Sequence, residues 1–200
     1  MRTLVAIVTI MTATLLTGCV SWGGEKNQWD LTVAAPERYH MWLIDAHLEK
    51  SGVRSWRGPV GGGVECCWKG DNGPFGSGGS MEPFPNLIAL HWFSFAEQKY
   101  YSAFIRVPPD LEERMAEPAL TYTQKGDKRY LPRYNLVLGL APGGKVVVWI
   151  MSQFSNAVEV LRVPAKEVPG DPADFAGLTK TYLEEHGAYL KEHGVPVEGW

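Results

Sequence analysis

The chain alternates between short apolar runs and glycine- or proline-rich breaks, and strands dominate the elements this predicts. Residues 39–47, Tyr-His-Met-Trp-Leu-Ile-Asp-Ala-His, are bulky and extended, with Tyr39, Met41 and Leu43 on one face and His40, Trp42 and Ile44 on the other. Both faces are mostly apolar, which predicts a central strand. Residues 87–95 and 99–107 form two further apolar runs joined by Ala96-Glu97-Gln98, the pattern of an antiparallel pair. The clearest hairpin joins 135–141 to 145–151 through Pro142-Gly143-Gly144, and the alternating segment 158–163 adds a third strand to it. Trp29 to Val33 reads as the start of an ordered extended segment.

Two segments change period. Residues 110–117 open with an acidic turn after Pro109 and stop at Pro118, predicting a short helix. Residues 173–193 predict a C-terminal helix. It carries a seven-residue repeat, Tyr182-Leu-Glu-Glu-His-Gly187 and Tyr189-Leu-Lys-Glu-His-Gly194, with Phe175, Leu178, Tyr182 and Tyr189 as its docking face. Between Gly58 and Gly79 glycine is so dense that only Val64–Trp68 reads as a strand, and 69–80 reads as a loop. Residues 164–172 read as a proline-punctuated linker. The fold class is α+β, mainly antiparallel β, as a sandwich or a meander sheet.

The N-terminus sets the compartment. Arg2, an uncharged apolar stretch from Leu4 to Leu16 and then Leu16-Thr17-Gly18-Cys19 form a secretion signal ending in a lipoprotein cleavage box. The stretch is too short to span a bilayer. The expected organisation is therefore a signal peptide over 1–18, lipidation at Cys19, a flexible tether over 19–28 and a single β-rich domain over 29–200. Val20 stands where an Asp would retain the protein at the inner membrane. The expected location is the periplasmic side of the outer membrane.

Composition narrows the chemistry. The chain is 45% hydrophobic and 12% aromatic, enough for a real core, and its net charge of -3 excludes a nucleic-acid role built on bulk basicity. Cys66 and Cys67 are adjacent. Strand neighbours point to opposite faces, so two free thiols are favoured over a vicinal disulfide. Gly139 to Lys145 has phosphate-loop spacing, but Val146 replaces the metal-binding hydroxyl and a strand follows where a helix is needed. No serine elbow, zinc-protease helix or zinc-spaced cysteine pair occurs, so no metal or cofactor is expected. Asp45 and His47 share a strand face and, with Cys66 or Cys67, would supply the groups of a thiol enzyme; isolated polar residues are the simpler reading. The expected partner-binding surface comprises Trp68, Asp71, Asn72 and Phe75 of the glycine loop, with Lys128 and Arg129 of the polar stretch 121–133.

The segments Leu90-His-Trp-Phe-Ser-Phe-Ala-Glu-Gln-Lys-Tyr-Tyr101 and Tyr134-Asn-Leu-Val-Leu-Gly-Leu-Ala-Pro-Gly-Gly144, followed by Val146-Val-Val-Trp149, resemble a proteobacterial lipoprotein family of unknown function. The aromatic strand near Tyr39 and Trp42 and the cluster Gly61-Gly-Gly63 fit the same pattern. The resemblance covers about Trp29 to Val163, leaving the repeat-bearing tail outside. Members are often encoded beside phospholipase effectors of the type VI secretion system, and several are taken to be immunity proteins. The resemblance thus implies a membrane-anchored, non-catalytic inhibitor of a cognate secreted phospholipase. The alternative is an envelope structural or assembly lipoprotein with no toxin partner.

Overall fold

A computed structural model describes residues 29–68 and 77–200. The expected signal peptide, Cys19 and the tether lie outside the described residues, as do Asp71, Asn72 and Phe75. The architecture is two sheets packed face to face, with a helix over one outer face. It is α+β, dominated by antiparallel strands, with one short helix and one C-terminal helix.

The first sheet runs β13–β12–β11–β1–β5. Its members are β1 (Trp29–Pro36), β5 (Cys67–Trp68), β11 (Asn135–Ala141), β12 (Lys145–Met151) and β13 (Val158–Pro164). Strand β6 (Ser77–Met81) pairs with β1 at its outer edge. The second sheet runs β14–β8–β7–β2–β3: β14 (Lys166–Val168), β8 (Lys99–Arg106), β7 (Leu87–Ser94), β2 (Met41–Lys50) and β3 (Arg54–Arg57). Strand β4 (Gly62–Val64) pairs with the start of β2. Helix α1 (Leu111–Ala116) follows β8, and a separate hairpin of β9 (Ala119–Tyr122) and β10 (Lys128–Leu131) precedes β11.

The predicted hairpins are present: β7 with β8, β11 with β12, and β13 added to β12. Gly143 and Gly144 supply the positive φ values, 73° and 63°, that the β11–β12 turn needs. That turn accounts for the phosphate-loop spacing. Alternate residues fill the space between the sheets: Leu31 and Val33 of β1, Leu136 and Leu138 of β11, and Leu90 and Trp92 of β7, all essentially buried. Each CH₂ removed from water there contributes about 0.8 kcal/mol.

Strand β2 breaks its own alternation. Met41 and Leu43 face the core, and so do Ala46 and Leu48, because the register slips between Leu43 and Asp45. A strict alternation would have driven Asp45 and His47 into the core. The bulge turns them outward instead, where Arg57 Nε donates to Asp45 Oδ1 at 2.6 Å and His47 Nε2 lies 2.6 Å from Ser55 Oγ. Asp45 and His47 are therefore each partnered by β3.

Of the two expected arrangements the sandwich is present: β1 pairs in parallel with β11, Asp30 opposite Asn135, and with β5, while the other ladders are antiparallel. Three expectations need correction. Glycine-rich 77–81 is a strand, because a backbone ladder to β1 needs no side chains. The linker 164–172 contains β14, which carries the chain from one sheet to the other and pairs with β8. Finally, Cys66 and Cys67 are joined as a disulfide. The alternation argument fails there because Cys66 lies outside β5 and the two are not strand neighbours.

Candidate functional site

The two ends of the sandwich differ in chemistry. At the end where β1 finishes, helix α2 (Ala176–His193) closes over the second sheet. Phe175, just before it, stacks on Phe93 with ring centroids 4.8 Å apart. Tyr182 is buried against Phe95 and donates its hydroxyl to the Arg38 carbonyl at 2.8 Å. Arg38 adopts φ 74° in the β1–β2 turn and lays its guanidinium over the Tyr189 ring, 4.3 Å from the centroid. The seven-residue repeat acquires a physical meaning here. Tyr182 with His186 and Tyr189 with His193 are two equivalent i, i+4 aromatic pairs on one helix face. The first copy grips His40 and the second grips Arg38 and Tyr39. Leu178, expected on that face, is 44% exposed, since the docking stripe runs through Phe175, Thr179, Tyr182, His186 and Tyr189.

Beside this junction opens a cleft of about 650 Å³. Its walls come from three distant segments: the β1–β2 turn with Arg38 and His40, the stretch Gly63 to Cys66, and α2 with Tyr182, Glu185 and His186. The rings of His40 and His186 meet edge to face at 4.5 Å between centroids. Burial, and then the proximity of His186, push the His40 imidazole below its ordinary value, while Glu65 and Glu185 pull it up. Nε2 of His186 is enclosed, lies 3.5 Å from Glu185 Oε1 and makes no hydrogen bond. Burial likewise raises the Tyr182 phenol well above its ordinary range. The disulfide forms part of the rim, held to β1 by a hydrogen bond from Ala35 N to Cys66 O at 3.0 Å. In that state neither sulfur is a thiolate nucleophile. Two imidazole rings, two flanking carboxylates and the aromatic walls of Trp42 and Tyr182 make a recess suited to a cationic or hydrogen-bond-donating group.

At the other end, where β1 begins, the β9–β10 hairpin stands apart from both sheets. Every residue of β10 is exposed, and Tyr130 retains 69% of its surface. Lys125, Lys128 and Arg129 are exposed beside Tyr122 and Tyr134. The hairpin's root is firm. The Asn156 side chain donates to Leu120 O at 3.0 Å and Ser152 Oγ at 2.7 Å, and accepts from the backbone N–H groups of Ser152 and Gln153. Gln153 clasps Tyr122 from both sides, accepting from its N–H and donating to its carbonyl.

The expected binding residues therefore divide. Lys128 and Arg129 lie on this projecting hairpin. Trp68 does not project: it is 6% exposed, packed edge-on against Trp149 at 4.9 Å and beside Trp200. Gly139 makes the slot, since a Cβ there would lie 2.6 Å from Trp149 and 2.9 Å from Trp68. A glycine inside an otherwise apolar strand was the available signal. Asn156 and the pairing of His40 with His186 were missed, because nothing local marks them. Among the described residues no cluster of three His, Cys, Asp or Glu side chains is placed to hold a metal ion, and no helix is long and apolar enough to cross a membrane.

No curated protein and no solved structure matches the chain. A family model described as "Protein of unknown function (DUF2931)" matches residues 11–198, so the repeat-bearing helix falls inside the shared region. The chain belongs to that family.

Proposed function

We propose that this is a lipid-anchored envelope protein of the periplasm that recognises a protein partner, namely a cognate secreted phospholipase effector that it neutralises. The observation carrying this reading is the cleft at the end of the sandwich farthest from the start of β1. Anchored through Cys19, the body would present that end away from the membrane. A rigid double sheet holds the cleft walls, and the recess accepts a projecting Lys or Arg of a partner between Glu65, Glu185 and the aromatic rings. Inhibition by occlusion needs no reacting group in the inhibitor. Tethering raises its concentration where a phospholipid-attacking enzyme works. The partner class is suggested by the resemblance of Leu90–Tyr101 and Tyr134–Gly144 to lipoproteins encoded beside such effectors.

Two measurements test it. Deleting the gene should sensitise the strain to siblings that deliver the effector encoded beside it, and the full chain should co-purify with that effector. Glu65→Lys with Glu185→Lys should weaken capture by about tenfold or more. A deletion strain that keeps full resistance sinks the reading and leaves the envelope-assembly role.

A further inference from the structure

We propose that the β9–β10 hairpin is a second membrane contact, docking on an anionic phospholipid surface and fixing which way the body faces. The argument rests on place, charge and ring chemistry. Asp30 N donates to Tyr134 O at 2.7 Å, so the described chain starts beside the foot of the hairpin. β1 and β11 run in parallel from this same end. Trp29, the first residue described, lies at this end, and Cys19 stands only ten residues before it in sequence. A tether of that length spans at most about 35 Å, so an anchored body keeps this end toward the bilayer.

The hairpin carries the chemistry such a surface selects. Residues 119–134 contain Lys125, Lys128, Arg129 and Arg133 against Asp127 alone, a net +3 in a chain whose total is -3. Tyr122 and Tyr130 on the hairpin and Tyr134 just after it are each at least 41% exposed. Tyrosine rings settle at the headgroup level, and each Lys or Arg near an anionic leaflet adds attraction that decays within a Debye length. Acids near this end include Asp30 of β1, Glu82 after β6, and Glu112 and Glu113 on α1, which Arg133 N ties to the hairpin's foot by donating to Met115 O. The surplus of positive charge lies on the hairpin, so the attractive surface is its projecting tip. The proposal shares only the position of the anchor with the proposed function.

The test uses the full chain as its producing cell processes it, placed on vesicles of phosphatidylcholine alone or with one-third phosphatidylglycerol. Hydrogen exchange of residues 119–134 should slow by about fivefold or more on the anionic vesicles only. The protection should vanish at high salt and in Lys128→Glu/Arg129→Glu, whose side chains are exposed and whose loss spares the fold, while residues 37–42 stay unchanged throughout. Equal exchange on both vesicles, or equal protection on both, overturns it. So does a charge-reversed variant that keeps its lipid contact but no longer captures the effector, which would reassign the hairpin to the protein partner. Loss of lipid contact with effector capture intact supports the proposal and leaves the proposed function standing.

Discussion

The two ends of the sandwich both present tyrosines and charge, yet they use them in opposite ways. At the cleft end Tyr182 is buried, bonded through its hydroxyl to Arg38 O and packed on Phe95, His40 and His186. At the hairpin end Tyr130 stands on β10, in a hairpin separate from the two sheets, and is mostly exposed. The first tyrosine holds tertiary structure together; the second is displayed by a structure held elsewhere. Residue type therefore says little about role until burial is known, and a surface rich in aromatic and basic residues is informative because the fold does not need it.

The sharpest way to break the contrast is to truncate both rings. Tyr182→Ala should cost about 3–5 kcal/mol by removing a buried aromatic and orphaning the Arg38 carbonyl. Tyr130→Ala should stay within about 0.5 kcal/mol. Denaturant melts of the two variants check this, and equal losses would end the distinction. Next in size is Asn156→Ala, expected to cost about 2–3 kcal/mol by leaving buried partners at the hairpin's root unsatisfied. Hydrogen exchange should then rise over 119–134 while α2 keeps its protection. A smaller effect runs the other way. Gly187 sits mid-helix, and a Cβ there would meet only Leu183 Cβ at an ordinary 3.8 Å. Gly187→Ala should stabilise by about 0.5–1 kcal/mol, read as a higher thermal midpoint.

The smallest effect is a pH dependence confined to the cleft end. His40 is held below the ordinary imidazole value of about 6.5 in the folded state. Below that pH the unfolded chain binds more protons than the folded one, so stability falls as pH drops through 6.5 toward the folded value. His40→Gln should flatten stability measured by urea between neutral and mildly acidic pH. An unchanged slope would assign it to other groups.

Much of the fold was legible because its signals are local. Pro142-Gly143-Gly144 between apolar runs specifies a turn, prolines bracket α1, and a seven-residue spacing places Tyr182 and Tyr189 on one face of α2. The parallel pairing of Asp30 with Asn135 was not legible, since those residues are far apart in sequence and no turn connects them. Nor was the bulge in β2, although the shift from Met41 and Leu43 to Ala46 and Leu48 records it once burial is known. The cleft draws on Arg38, Glu65 and His186, which only the closed fold brings together. Lys128 and Arg129 were legible as exposed polar residues, whereas Trp68 looked like a loop aromatic until Gly139 was seen to make room for it.

The position of β1 has a mechanical consequence. It is the first strand described, yet it lies inside its sheet, bonded to β11 on one side and to β6 on the other over nearly the same residues. A pull applied at Trp29 along the strand axis loads both ladders in shear, so their hydrogen bonds share the force together. A strand at the sheet's margin pulled sideways would instead unzip one bond at a time. The start of β1 is thus seated in the part of the fold best placed to resist such a pull.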